Sequence, residues 1–302
     1  MHVFMIQSPP TQSVTLDKTT GLMGFWTSPL VPSPWPVIVL FAPMAATADH
    51  LIDLKHHLVK AGFAVLTFDW PHYGHSAGSP RHHIALPSHE AAVGSVGTWL
   101  TTQPHIKPNG ITYWAISLGA THVLNHLKNA LIQPDQLILH TPFISGFHSL
   151  REQHDLDWLT RLQRLAHRAP NRSLCCTDTT QQPGLLSGPR AEAFYAQGPT
   201  PYLTLSGCLN VMDAECLSAL TQINSPPPSY WIIAQYDQVI APDLTARAFQ
   251  AYQGPKSSAT EPMDHYTLLL NETIDPITQA CDWIHTCSLD TMTPTQPTDS
   301  VS

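Results

Sequence analysis

The stretch from Ile111 to Ala120, I-T-Y-W-A-I-S-L-G-A, indicates the fold of this chain. Apolar residues run up to Ile116 and predict a buried strand, and a helical pattern begins directly after Ser117. A serine at such a sharp strand-to-helix turn is a nucleophile elbow, in which small neighbours let strand and helix approach closely. The usual pattern is G-x-S-x-G, whereas Ala115 replaces its first glycine here and Gly119 keeps the second. The alternative interpretation of Ser117 is an ordinary helix N-cap.

Strand and helix patterns alternate on both sides of this segment. Short apolar runs predict buried parallel strands, and apolar residues at helical spacing predict the helices between them. The predicted strands are 36–42, 63–68, 111–116, 136–140, 230–234 and 257–260, and the predicted helices are 48–61, 88–102, 118–131, 213–223, 242–251 and 266–287. Apolar segments at 14–16 and 22–26 flank D-K-T-T-G and predict an N-terminal hairpin. The alternation predicts an α/β fold with a mostly parallel central sheet and helices on both faces.

The segment 142–200 interrupts the alternation. It contains a loop rich in Cys, Thr, Gln, Pro and Gly, and an amphipathic stretch with Leu150, Leu156, Leu159, Leu162 and Leu165. A compact α/β domain needs no such segment, so we expect it to form an inserted helical cap over the carboxyl ends of the strands, where these sheets bind ligands. Residues 1–141 and 201–288 would then form the core, and the Thr/Pro/Ser-rich residues 289–302 a disordered tail.

Two later loops carry residues that could activate Ser117. Asp237 follows the strand predicted at 230–234, and His265, in E-P-M-D-H-Y, precedes the last predicted helix. A serine hydroxyl becomes a nucleophile when a histidine takes its proton and an acid orients that histidine. The order Ser, Asp/Glu, His along the chain is the order of this fold class. We therefore expect Ser117, Asp237 and His265 to be catalytic, although Asp237 could be a turn residue and His265 a surface histidine.

The same chemistry requires two backbone N–H groups that stabilise a developing oxyanion. Leu118, directly after Ser117, should supply one of them. Met44, in the loop after the strand predicted at 36–42, should supply the other, because Pro43 has no N–H to donate. In the alternative interpretation, Met44 is only part of the pocket wall.

Composition excludes several classes of protein. The 302 residues include 14 Lys and Arg against 22 Asp and Glu, and this net charge of −8 argues against a nucleic-acid binder. An apolar content of 43% is too high for a disordered chain. The N-terminus does not resemble a signal peptide, and no apolar run approaches the roughly 20 residues of a membrane helix. The six cysteines form no C-x-x-C pair, which favours reduced thiols and a cytoplasmic location.

Charge is distributed unevenly along the chain. Five of the eight arginines lie in the predicted cap, namely Arg151, Arg161, Arg164, Arg168 and Arg172. A basic cap rim could steer an acidic acyl-carrier protein or the phosphates of coenzyme A, and Arg161 and Arg164 are the candidate contacts. The alternative is a solvated helix face opposite the leucines.

Histidines are concentrated between residues 50 and 89. The pair His72 and His75 could bind zinc together with His82, His83 or His89. No cysteine lies near, so we expect no metal site, and we expect no cofactor.

Together these segments resemble the α/β-hydrolase superfamily from about Val37 to Asp282. The segment F-D-W-P-H-Y-G-H-S-A-G-S, residues 68–79, is similar to the family's loop after the fourth strand. With F-A-P-M-A-A-T-A-D-H-L, G-F-A-V-L-T-F-D and A-I-S-L-G-A, it looks most like the bacterial bioluminescence acyl-transferase group of acyl-ACP thioesterases. The resemblance implies that Ser117 accepts an acyl group, with His265 as base and Asp237 as its orienter.

The function expected from these residues is acyl transfer from esters or thioesters through an acyl-enzyme. A general carboxylesterase or a monoacylglycerol-lipase-like enzyme remains an alternative within the enzyme class. A non-catalytic binding protein on the same fold is the alternative from another class, and the complete Ser–Asp–His order speaks against it.

Overall fold

The computed structural model describes residues 10–179 and 183–290, with the backbone alone at 288–290. Within these residues the central sheet contains β1 (Thr11–Asp17), β2 (Leu22–Thr27), β3 (Trp35–Phe41), β4 (Ala64–Phe68), β5 (Ile106–Ile116), β6 (Gln136–His140), β9 (Ser229–Ala234) and β10 (Lys256–Glu261). Their order across the sheet is β1-β2-β4-β3-β5-β6-β9-β10. The neighbours from β4 to β10 are parallel, and β2 pairs antiparallel with both β1 and β4. The predicted hairpin and the mostly parallel sheet are confirmed.

Helices cover both faces of this sheet. They are α1 (Ile52–Lys60), α2 (Leu86–Thr101), α3 (Leu118–Leu127), α8 (Pro242–Ala251) and α9 (Asp275–Asp290). The connection through α1 runs across the sheet in the opposite direction to those through α2 and α3, so right-handed crossovers place α1 on the other face. Because α2 and α3 lie on the same face, they pack on each other. Phe63, just after α1, stacks on His285 of α9 with ring centroids 4.9 Å apart.

Two predicted helices differ most from their expected bounds, and the helix predicted at 118–131 ends at Leu127. Instead of a helix at 213–223, α7 spans Leu205–Asp213 and only a short 3-10 turn, Ala219–Thr221, follows. The Thr204 hydroxyl accepts a hydrogen bond from the Gly207 N–H and so starts α7 early. The last helix begins at Asp275 rather than near residue 266, and Pro276 occupies its first turn, where a missing N–H costs nothing.

The segment between β6 and β9 contains helices and a small second sheet. Its elements are α4 (Gly146–Gln153), α5 (Leu156–Arg168), β7 (Ser173–Cys175), α6 (Pro189–Tyr195), β8 (Tyr202–Thr204) and α7. β7 pairs antiparallel with β8, and α5 packs on α7. We call residues 142–179 and 183–213, which hold these elements, the insertion.

The loops that follow the parallel strands meet at one edge of the sheet. Ser117 follows β5, Asp237 follows β9 and His265 follows β10, while the loop 42–46 follows β3. Carboxyl ends of parallel strands share an edge, which is where open α/β sheets bind ligands.

In the described part of the chain, no helix has the length and apolar character that crossing a bilayer requires. From residue 291 onward the expected tail lies outside the described residues.

Candidate active site

Ser117 lies in a strained turn between β5 and α3. Its backbone has φ of 49° and ψ of −121°, a combination that L-residues rarely adopt and that marks functional sites. Three backbone bonds hold the turn. The Ser117 N–H donates to the His140 carbonyl at 3.1 Å, and the Ser117 carbonyl accepts from Ala120 and Phe143 at 2.9 and 3.0 Å.

The small residues around Ser117 have a steric reason. A Cβ at Gly119 would lie 2.4 Å from the Phe41 carbonyl oxygen and 2.8 Å from that of Ala42, so only glycine fits there. Ala115 pairs with Phe41 in the sheet and is fully buried, which shows that one methyl group is tolerated at the first glycine position. Although Ser117 stands at the N-cap position of α3, its side chain makes no capping hydrogen bond.

The Ser117 hydroxyl instead belongs to a hydrogen-bonded series with two distant residues. Ser117 Oγ is 3.1 Å from His265 Nε2, and His265 Nδ1 is 2.8 Å from Asp237 Oδ2. A carboxylate oxygen can only accept, so the bond to Asp237 places a proton on Nδ1, and the Ser117 hydroxyl can then donate to Nε2. All three side chains are buried, with only 4% of the Asp237 side chain exposed.

Asp237 is itself oriented by its own loop. Its Oδ1 accepts from the N–H groups of Val239 and Ile240, each at 2.8 Å. Asp237 is thus both a turn residue and the partner of His265, because each of its two carboxylate oxygens binds a different group. This leaves Oδ2 aimed at the histidine.

Met44 and Leu118, the two candidate oxyanion donors, line one narrow cleft beside Ser117. Trp70, His89 and His122 also contribute to its walls. Leu118 is the first residue of α3, where backbone N–H groups have no partner within the helix. The structure therefore brings both residues to the same cleft.

Two buried histidines near the site, His122 and His140, were not singled out from the sequence. His122 Nε2 lies 3.2 Å from His89 Nδ1, and burial lowers the pKa of His122 to about 3. Burial, with a contribution from nearby His265, also lowers the pKa of His140 to about 3. Both rings are therefore neutral at neutral pH. The position of His122, one turn after Ser117, was the signal available in the sequence.

A second pocket lies between the insertion and His265. It has a volume of about 60 Å³ and is lined by Gln153, Ser187, Gly188, Pro189, Arg190, Gln238, Val239, Asp264, His265 and Tyr266. Arg190 Nε donates to Asp264 Oδ2 at 2.6 Å, and its terminal nitrogens bind Glu272. These bonds raise the pKa of Arg190 and tie α6 to the loop that carries His265.

The candidate carrier-binding arginines lie elsewhere. Arg161 and Arg164 are exposed on α5, opposite its buried residues Leu159 and Leu162, and neither lines the two pockets just described. Arg161 Nε donates to the Asp157 carbonyl in its own helix at 3.3 Å. This placement agrees with the alternative interpretation, in which these arginines belong to a solvated helix face. The arginine that lies beside the site is Arg190.

The histidines considered for zinc bind other groups. His72 Nδ1 donates to the Pro80 carbonyl at 2.8 Å, and His83 Nδ1 lies 2.8 Å from Thr204 Oγ1. His75 Nδ1 is 3.2 Å from Asp69 Oδ2. Among the residues the structure describes, no three His, Cys, Asp or Glu side chains are grouped to hold a metal ion.

Two curated proteins are similar to part of this sequence. The quorum-quenching protein AidA from Acinetobacter baumannii (strain MDR-ZJ06) is 26% identical over 178 residues, which are 59% of this chain and 56% of that protein. The lysophosphatidylserine lipase ABHD12 from Danio rerio is 32% identical over 125 residues, 39% of this chain and 31% of that protein. The matches thus span less than two thirds of either relative.

Solved structures show the same fold over nearly the whole chain. The α/β hydrolase GrgF from Penicillium sp. sh18 superposes with a TM-score of 0.75 over 92% of this chain and 98% of that one, at 14% identity. A soluble variant of monoglyceride lipase from Saccharomyces cerevisiae, in complex with a substrate analog, gives a TM-score of 0.67 over 95% and 99%, also at 14% identity. The α/β-hydrolase fold expected from the sequence is confirmed.

A family of hydrolases, described as serine aminopeptidase, S33 (Hydrolase_4), matches residues 32–272. That range holds most of the described sheet and all three residues of the Ser117, His265 and Asp237 series. The chain belongs to this family.

Proposed function

We propose that this protein is a serine hydrolase that cleaves acyl esters or thioesters through an acyl-enzyme on Ser117. The observation that carries the proposal is the unbroken series from Ser117 Oγ through His265 to Asp237 at a strand-to-helix elbow. Family membership and the lipase named among the relatives support the same class of reaction.

In the first half of the reaction, Ser117 Oγ attacks the substrate carbonyl carbon while its proton moves to His265 Nε2. The C–O⁻ that forms accepts hydrogen bonds from the N–H groups of Leu118 and Met44. Asp237 stabilises the resulting imidazolium through Nδ1. The bond to the leaving alcohol or thiol then breaks, and that group takes the proton from Nε2.

In the second half, a water molecule attacks the acyl-enzyme carbonyl and gives its proton to His265 Nε2. The bond between Ser117 Oγ and the acyl carbon breaks, Oγ recovers the proton, and the carboxylic acid leaves. An acceptor alcohol or thiol in place of water would give acyl transfer, the branch suggested by the acyl-transferase resemblance.

We further propose that the insertion acts as a cap, because Gln153 and Arg190 come from it to the pocket beside His265. Oxygen esters of neutral alcohols suit this pocket better than an acidic carrier protein or coenzyme A. The positive charge of Arg190 is met there by Asp264 and Glu272, and Arg161 and Arg164 lie outside it. We also propose a cytoplasmic location, on the cysteine pattern of the sequence.

A fluorophosphonate probe tests the reaction class. We expect wild-type protein to be labelled at Ser117 and Ser117→Ala to be unlabelled and at least 10³-fold less active on a phenyl ester. Absence of labelling in the wild type, or equal labelling of Ser117→Ala, would favour a non-catalytic binding protein.

An acyl-chain panel on glycerol, coenzyme A and acyl-carrier protein then tests the substrate class. We expect glycerol esters to be turned over with the highest kcat/KM. A preference for carrier-protein thioesters that is lost in Arg161→Glu/Arg164→Glu would instead support the thioesterase branch.

A further inference from the structure

One buried ring nitrogen at the cleft beside Ser117 has no hydrogen-bond partner. His122 lies on α3 four residues after Leu118, so the two side chains share one face of the helix. His122 also lines the cleft together with Met44 and Leu118. Within the part of the chain that the structure describes, nothing binds His122 Nδ1. A buried polar atom without a partner calls for an explanation, and a ligand that binds there is one.

The hydrogen bonds of His89 decide which nitrogen of His122 carries the ring proton. His89 Nε2 lies 3.3 Å from the Pro71 carbonyl oxygen, which can only accept, so this nitrogen donates. Burial lowers the pKa of both His89 and His122, so each ring is neutral and has a single N–H. His89 Nδ1 therefore accepts, and His122 Nε2, which is 3.2 Å away, donates to it. His122 Nδ1 is left with a lone pair that can only accept a hydrogen bond.

This lone pair suits a ligand group that donates a hydrogen bond. It cannot stabilise an oxyanion, because both atoms are acceptors. The cleft is too narrow for a water molecule, so a donor that reaches Nδ1 meets a nitrogen that is already dehydrated, and the bond is stronger than one made in water. Met44, which also lines the cleft, has an unbranched side chain that can yield to an incoming group.

We propose that His122 is a specificity residue that selects acyl groups with a hydroxyl on their third carbon. The inference rests on the proposed function, since it places the acyl carbonyl oxygen at the N–H groups of Leu118 and Met44. The third carbon is two bonds from the carbonyl carbon, and one turn of α3, about 5.4 Å, separates Leu118 from His122. A hydroxyl on that carbon donates to Nδ1, whereas a methylene group leaves Nδ1 unpaired. The substrate class is thereby narrowed from acyl esters to 3-hydroxyacyl esters.

The test compares two phenyl esters that differ only at the third carbon, 3-hydroxybutyrate and 3-fluorobutyrate, each as its separate enantiomers. Fluorine is close to a hydroxyl in size and also withdraws electrons, but it has no hydrogen to donate. For the better enantiomer, the wild-type kcat/KM should be at least about tenfold higher with the hydroxy ester.

His122→Phe removes the lone pair and keeps a ring of similar shape. The ratio of the two kcat/KM values should fall to within about twofold, through a loss on the hydroxy ester. His126→Phe is the matched control, because it makes the same change one turn later on α3 at a half-buried position outside the cleft. It should keep the wild-type ratio.

A wild-type enzyme that hydrolyses both esters equally well would overturn the inference, and so would a preference that His122→Phe retains. If His122→Phe folds poorly, ¹⁵N NMR of the wild-type histidine rings decides the assignment: a proton on Nε2 of His122 supports the inference, and a proton on Nδ1 overturns it. Wild-type protein that hydrolyses neither ester is a different result, because it removes the proposed function itself.

Discussion

The two carboxylate oxygens of Asp237 bind different groups, and the contributions of these two sets of contacts can be separated experimentally. Oδ1 binds the loop N–H groups of Val239 and Ile240, whereas Oδ2 binds His265. An asparagine would keep an oxygen for the loop and present an NH₂ group to the histidine. The orientation of the loop and the state of the imidazole therefore depend on different atoms of one side chain.

Asp237→Asn should lower kcat by about 10³- to 10⁴-fold, because His265 is then held with its proton on the wrong nitrogen. The melting temperature should change little, since the loop contacts survive. Steady-state kinetics on a phenyl ester together with thermal unfolding measure the two effects. Asp243→Asn, at an exposed acid in the first turn of α8, is the control and should keep full activity. Wild-type kcat in Asp237→Asn would contradict the role proposed for Asp237.

The site residues were predictable from the sequence to different extents. Ser117, Asp237 and His265 could be chosen because chain order and strand ends constrain where such residues occur. His122 could not, because its burial and its contact with His89 depend on how α2 and α3 pack.

At the scale of elements, the strands were easier to predict than the helices. Buried parallel strands are continuous apolar runs, and β4, β6 and β9 lie within one residue of their expected bounds. Helix ends depend on capping instead. The predicted helix at 213–223 is wrong because Thr204 starts α7 and the extended backbone of Ala214 ends it, and neither signal is apolar periodicity.

Arg190 links α6 to the loop that carries His265. The contribution of this link to stability can be tested by comparing Arg190 with another arginine of the insertion. Arg190→Gln loses the ion pairs with Asp264 and Glu272, and a partly exposed network of this kind contributes about 1 kcal/mol, or roughly 2–4 °C in melting temperature. Arg161→Gln removes an exposed charge without an ion pair among the described contacts and should shift it by less than 1 °C. Differential scanning fluorimetry at low and high salt gives the comparison. Equal shifts in the two variants would show that Arg190 does not tie the elements together.

At the scale of the whole molecule, several buried histidines make the fold sensitive to acid. Burial lowers the pKa of His50, His89, His122 and His140 below the roughly 6.5 of an unfolded chain. Between the folded and unfolded pKa values, the unfolded state binds more protons. Stability is therefore lost as the pH falls from about 6.5 toward 3, and each such proton steepens the loss by about 1.4 kcal/mol per pH unit.

In His122→Phe, the unfolding free energy should depend less steeply on pH between pH 6 and pH 4. The slope should fall by the equivalent of about one proton, because the unfolded chain no longer binds a proton at residue 122. Urea unfolding at four pH values gives the slope of the unfolding free energy against pH. His167→Gln, at an exposed position of α5, should change the slope less. Slopes that coincide for wild type and His122→Phe would mean that His122 is not a source of the acid sensitivity.

Among the residues that the structure describes, the central sheet ends in β1 on one side and β10 on the other, and both edges are polar. T-Q-S-V-T-L-D and K-S-S-A-T-E carry hydroxyl and charged groups, mostly exposed or half-buried, along their outer backbone. Unpaired edge strands are templates for a strand of another molecule, and polar or charged side chains oppose that pairing. Along the described strands, neither edge therefore has the long apolar surface that would drive the sheets of separate copies to join edge to edge in concentrated solution.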